Sequence, residues 1–150
     1  GLIRKDLEKL GIEVVFVQVE FNALVSRLDA SYDWDAILLG LTGGGSDPHF
    51  GANVWVSSGR THQWYPRQPK PATAWEAELD SLVGAGVGTA DTAARKRAYD
   101  RLQEVVREQQ PFVYLGHPEA MTAFRNRFGN VLPTPLGGAL HNIDRIFVRK

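Results

Sequence analysis

Residues 12–40 read IEVVFVQVEFNALVSRLDASYDWDAILLG, and the order of patterns in this stretch decides the fold. Ile12 to Val19 is dominated by β-branched and aromatic residues on both alternating faces, the pattern of a strand covered on both sides. Phe21, Leu24, Val25 and Leu28 then recur at helical spacing. Asp35 to Gly40 (DAILLG) reads as a second short buried strand. Strand, helix and strand in so short a span form a βαβ unit, whose crossover is almost always right-handed. The expectation is an α/β layer with at least two parallel strands.

Upstream, Leu2, Ile3, Leu7 and Leu10 share one helical stripe, with Arg4, Lys5, Glu8 and Lys9 opposite and Gly11 placed to end the helix. Downstream, residues 41–72 are rich in Gly, Ser, Pro and aromatics and show no sustained period. A loop of that length in a compact domain is functional or disordered. Trp34, Trp55, Trp64 and Trp75 fall in or near it, which argues for an ordered, irregular segment over a surface.

Thr73 and Glu76 have the spacing of a capping box, predicting a helix from Thr73 to Val83. Asp91 is a good N-cap for a longer helix whose buried stripe is Ala94, Ala98, Leu102 and Val105/Val106, and Pro111 stops it. Gly84-Ala85-Gly86-Val87-Gly88 lies between the two helices and reads as a hinge-like connector, not a dinucleotide fingerprint, which follows a strand. Phe112 to Leu115 and Ala120 to Phe124 read as strands flanking His117-Pro118. Residues 126–142 are turn-rich, and Ile143 to Val148 reads as a final strand.

The 150 residues suffice for one core, so residues 1–150 are expected to form a single domain. Lys plus Arg equals Asp plus Glu at 17 each, which argues against nucleic acid or an anionic membrane as the main partner. No cysteine is present, so disulfides and thiolate chemistry are excluded. No apolar run reaches membrane-spanning length, and no export signal is visible. Gly1 opens directly into a helical stretch and the one methionine is Met121, so the chain is expected to be part of a longer polypeptide.

The segment Leu39 to Pro48 (LGLTGGGSDP) follows the second expected strand directly. Ligands of open α/β sheets bind beyond the carboxyl ends of strands, and glycines there let backbone N–H groups approach a ligand. The same glycines equally suit a turn that needs positive φ. GGGSDP lacks the Gly-Lys-Ser/Thr ending of a phosphate-cradling loop. The candidate ligand-binding residues are Thr42, Gly43, Gly44, Gly45, Ser46, Asp47, His49, Asn53, Trp55 and Trp64. Trp55 and Trp64 can offer flat apolar faces to a small molecule or pack the loop onto its own domain. No two of His49, His62, His117 and His141 stand at helical ligand spacing, so no metal site is expected. Ser46 or Ser57 with a histidine and an aspartate makes a nucleophilic triad only on paper, because no Gly-x-Ser-x-Gly elbow is present.

In order, the opening helix with LGIEVVFVQVEFNALVSRL, then DWDAILLGLTGGGSDPHF, ARKRAYDRLQEVVREQQPFVYLGHPE and FRNRFGNVLPTPLG resemble the family 5 solute-binding proteins, the dipeptide and oligopeptide receptors of ABC importers. The resemblance implies a mixed, partly parallel sheet flanked by helices, the C-terminal lobe of a two-lobe fold of the type II periplasmic-binding-protein kind. It implies hinged closure over a ligand, no cofactor, no catalysis and a periplasmic or extracytoplasmic, membrane-associated location. The implied partners are a small-molecule ligand (a peptide first, otherwise a glycan or another solute), the N-terminal lobe of the same protein and a membrane permease. A small α/β hydrolase and an interaction module are the alternatives. Peptide-binding members carry an acid directly after the Thr-Gly of this loop, pairing with the peptide ammonium. Gly44 stands there in this chain and the next acid is Asp47, so either Asp47 takes that role or this stretch leaves it unfilled.

Overall fold

The computed structural model describes residues 1–41, 45–117, 119 and 121–149. Its core is a pair of helices, α4 (Ala74–Val87) and α5 (Thr92–Gln109), with the short α3 (Ala52–Trp55) laid against them. Leu79 and Val83 of α4 meet Tyr99, Leu102, Val105 and Val106 of α5, and Ala52 closes the cluster from α3. Leu79 is fully buried and Val105 nearly so.

Both long helices start where local chemistry tells them to. Thr73 Oγ1 accepts from the Glu76 amide at 3.3 Å, and Glu76 Oε2 accepts from the Thr73 amide at 2.8 Å, which completes the capping box. Asp91 Oδ1 accepts from the Ala93 amide at 2.9 Å. Gln110, at φ 47°, ends α5 in the left-handed region just before Pro111.

The glycine cluster differs from its expected role as a connector, since α4 runs on through Gly84 and Gly86 to Val87. A Cβ on Gly86 would come within 2.6 Å of the Tyr99 ring, so glycine here permits the close approach of α5. The helix tolerates its low propensity because tertiary packing compensates.

The flanking helices follow the expected pattern in shortened form. Helix α1 (Leu2–Glu8) is exposed and leads to Gly11, at φ 78°. Helix α2 (Phe21–Ser26) is capped by the Glu20 carboxylate, which accepts from the Asn22 and Ala23 amides, and continues into a π-helical turn over Arg27–Ser31. Tyr32 ties this region to the long loop, bonding the Pro66 carbonyl at 3.5 Å and meeting Tyr65 edge-on.

Sheet structure is small. Strand β1 (Phe128–Gly129) pairs antiparallel with β2 (Phe147–Val148), in the register Phe128 to Val148 and Gly129 to Phe147. The final strand is therefore shorter than expected, with a 3-10 turn over Ile143–Arg145, and its partner lies in the segment read as turns. The parallel part of the expected sheet is not formed among the described residues. Residues 12–19, 35–40 and 112–115 join no ladder, and the 120–124 strand begins outside the described residues at Ala120. A strand patterned for burial on both faces needs neighbours and a covering layer. Here Val15, Phe16 and Val17 are 79%, 69% and 60% exposed, so neither is present.

Candidate ligand-binding wall

Residues 45–50 are organised around the carboxylate of Asp47. Asp47 caps the 3-10 turn Pro48–Gly51, its Oδ1 accepting from the His49 amide at 2.8 Å. Arg95, on α5, reaches across 48 sequence positions and donates from Nη2 to both Asp47 oxygens, at 2.6 and 2.9 Å. The same guanidinium donates from Nη1 to the Gly86 carbonyl at 2.7 Å and lies 5.3 Å from the centre of the Tyr99 ring. Tyr99 in turn shares a 3.3 Å hydrogen bond with His49 Nδ1.

The bond from the His49 amide, together with Arg95, holds the Asp47 carboxyl below the usual aspartate range, against a smaller opposing effect of desolvation. The pair is partly exposed and therefore screened by solvent, so its main effect is on geometry.

Asp47, His49, Phe50 and Arg95 line one open depression. Gly45 and Ser46 are exposed at its approach, and the Phe50 ring lies so close over Gly45 that a Cβ there would stand 2.3 Å from it. Thr42, Gly43 and Gly44 lie outside the described residues. Asn53 is exposed on α3.

The two tryptophans go elsewhere. Trp55 packs edge-on against Phe112, with ring centres 5.7 Å apart, and lines a second open depression with Leu102, Val106, Arg107 and Tyr114. Trp64 is built into the cap of α4. Its indole N–H donates to Glu76 Oε1 at 2.8 Å, while its ring packs on Trp75, Phe112 and the fully buried His62. Glu76, 3% exposed, also accepts from the Ala72 amide, the Thr73 amide and Thr73 Oγ1. Burial pushes its carboxyl up, but the hydrogen bonds from Trp64, Thr73 and Ala72 together outweigh that and leave it below the usual glutamate range.

Arg95 and Phe50, which line the depression, and Tyr99, which contacts Arg95 and His49, are the residues that the sequence reading missed. The available signal was the i, i+4 spacing of Arg95 and Tyr99, which puts both on one face of α5. For catalysis the arrangement offers little. Among the described residues the buried Ser57 hydroxyl has no hydrogen-bond partner, so none of them is placed as a base to activate that serine. Among the described residues no three His, Asp or Glu side chains gather as a metal site, and no helix is long and apolar enough to cross a membrane.

No family model and no solved structure matches the chain. Among curated proteins it is 24% identical over 152 residues to the oligopeptide-binding protein AppA of Bacillus subtilis, covering 99% of this chain and 26% of the relative. It is 25% identical over 138 residues to di/tripeptide-binding protein 4 of Pseudomonas aeruginosa, covering 90% and 24%. It is 27% identical over 139 residues to the probable ABC transporter periplasmic-binding protein SapA of Escherichia coli, covering 92% and 24%. Each of these relatives is named for binding and none for catalysis. The chain spans about a quarter of their length. Along most of its own length it is thus similar to solute-binding proteins, among them ones named for peptides and for ABC transporters, as the ordered motifs of its sequence imply.

Proposed function

We propose that the chain is one lobe, the C-terminal one, of an extracytoplasmic receptor that captures a solute for an ABC importer and performs no chemistry. The solute class is peptide. The observation that carries this reading is the similarity to an oligopeptide-binding protein over 99% of the chain. In it, residues 1–150 act as one domain, residues 45–53 supply one wall of a cleft, and another lobe of the same polypeptide supplies the opposite wall. A membrane permease receives the load.

The open depression supports a shared cleft. A ligand gripped tightly needs most of its surface covered, and a depression this open on one side cannot cover it alone. The exposed apolar side chains of residues 15–17 and 113–115 also fit a polypeptide whose remaining parts pack against them.

Titration calorimetry of the full-length natural protein with trialanine, and with maltotriose as a contrasting solute, tests the reading. Saturable binding of trialanine is expected. Heat from the sugar alone would move the solute class away from peptides, and binding of neither would count against the whole proposal.

A further inference from the structure

Arg95 connects three elements of the molecule, one of them 48 positions away in sequence. Its Nη1 holds the carbonyl of Gly86 in the last turn of α4, its own backbone belongs to α5, and its Nη2 holds both oxygens of Asp47 in the loop. The Tyr99 ring lies against the guanidinium, and Tyr99 also reaches His49 Nδ1. The loop backbone hangs on the same residue: the Asp47 carboxylate accepts from the His49 amide through Oδ1, and the Asp47 backbone carbonyl accepts from the Phe50 amide. A planar guanidinium fixes both distance and orientation when it grips a carboxylate with two bonds, which an ammonium on a flexible stem does not.

We propose that Arg95 is a positioning residue: through Asp47 it sets the conformation of residues 45–50 and so pre-forms the ligand wall before any solute arrives. This rests on the reading of that loop as a wall, and it assigns Arg95 no contact with the solute. Asp47 then serves the protein's own geometry. Both of its oxygens are engaged, and it is the sole carboxylate between residues 36 and 75. A pre-formed loop binds more tightly because less ordering is left to the moment of binding.

The test is amide hydrogen exchange on the full-length natural protein and on its Arg95→Gln, Asp47→Asn and double variants, with Arg95→Lys as a milder change should Arg95→Gln fail to fold. Asp47→Asn keeps an oxygen for the His49 amide and removes the charge that Arg95 grips. Each single variant is expected to speed exchange at His49 and Phe50 about tenfold or more, with the amides of Leu79, Val83, Leu102 and Val105 unchanged. The double variant is expected to exchange no faster than the worse single one, because the two residues act as a unit. An equal rise across α4 and α5, multiplied effects in the double variant, or no rise at His49 and Phe50 would each overturn the proposal. Trialanine affinity is measured in the same variants and should fall about tenfold in step with loop exchange, and an unchanged affinity beside a loosened loop would overturn the link to binding. Failure of the wild type to bind trialanine would remove the peptide reading instead, and the exchange data would still decide the clamp.

Discussion

Trp64 donates its indole N–H to Glu76 at 2.8 Å, and this bond joins the long irregular loop to the cap that starts α4. Glu76 is almost wholly buried, so every donor it has matters. A buried acceptor that loses a partner retains the cost of its own desolvation. Trp64→Phe preserves most of the packing against Trp75 and Phe112 but deletes that donor. It should lower unfolding stability by about 1–3 kcal/mol in urea titrations. A loss well under 0.5 kcal/mol would mean the bond is replaceable by water.

The same carboxylate sets a pH dependence. Its folded pKa lies below the usual glutamate range, so it binds protons more weakly in the folded state than in the unfolded one. Its contribution to stability is therefore fully present above the unfolded value of about 4.3 and is lost as pH falls through the folded value. Stability measured from pH 6 down to pH 3 should fall less steeply in Glu76→Gln than in the wild type. That variant should also be less stable at pH 6, where the wild-type carboxylate holds its four donors. Parallel curves for the two proteins would show that Glu76 has no part in the acid sensitivity.

These features differ in how much of them could be read in advance. The starts of α4 and α5 were legible because a cap is local: Thr73 with Glu76, and Asp91, act within three residues of themselves. The run of Gly84 to Gly88 reads as a connector, whereas α4 runs on to Val87, because the reason for Gly86 lies on another helix, in the ring of Tyr99. Trp64 was read as a candidate ligand contact because nothing in its neighbourhood names Glu76 as the receiver of its N–H. Arg95 and Asp47 are 48 positions apart and meet only once the helices pack. Strand patterns at residues 12–19 and 35–40 report what a segment suits, while pairing depends on partners elsewhere.

Asp47 also allows a sharp statement about peptide ends. If its carboxylate serves Arg95, it does not read a peptide ammonium. The preference of the full-length natural protein for trialanine over N-acetyl-trialanine should then be the same in the wild type and in Asp47→Asn, within about threefold, even if both affinities fall. A preference for the free ammonium that disappears in Asp47→Asn would show that this carboxylate touches the ligand directly.

Gly59 is the most tightly packed of the described glycines of the loop. It is buried, its amide donates to the Val56 carbonyl, and its own carbonyl accepts from the amides of His62 and Arg67. A Cβ there would stand 2.0 Å from the Asn53 carbonyl oxygen, which is backbone and cannot swing aside. Gly59→Ala should destabilise the protein by about 1–3 kcal/mol, the usual range for forcing extra volume into packed structure. Gly84→Ala meets nothing within 4 Å and lies inside α4, so it should be neutral or stabilising by up to about 1 kcal/mol. Thermal unfolding of the two variants separates them, and equal effects would mean the clash at Asn53 is absorbed by the loop.

Residues 15–17 carry the last prediction. Val15, Phe16 and Val17 are exposed beside one another and belong to no ladder among the described residues. A β-prone apolar stretch with unpaired backbone is a template for pairing with another chain. The 150-residue chain prepared alone should therefore self-associate at tens of micromolar, with sedimentation showing species above the monomer that grow with concentration. Val15→Lys with Val17→Lys puts two charges on one face of any strand formed here, because side chains two apart share a face. That double variant should sediment as a monomer while keeping the thermal unfolding of the α4–α5 core, whose cluster these residues do not join. Self-association unchanged by the two lysines would place the sticky surface elsewhere, with Val113, Tyr114 and Leu115 the next to alter.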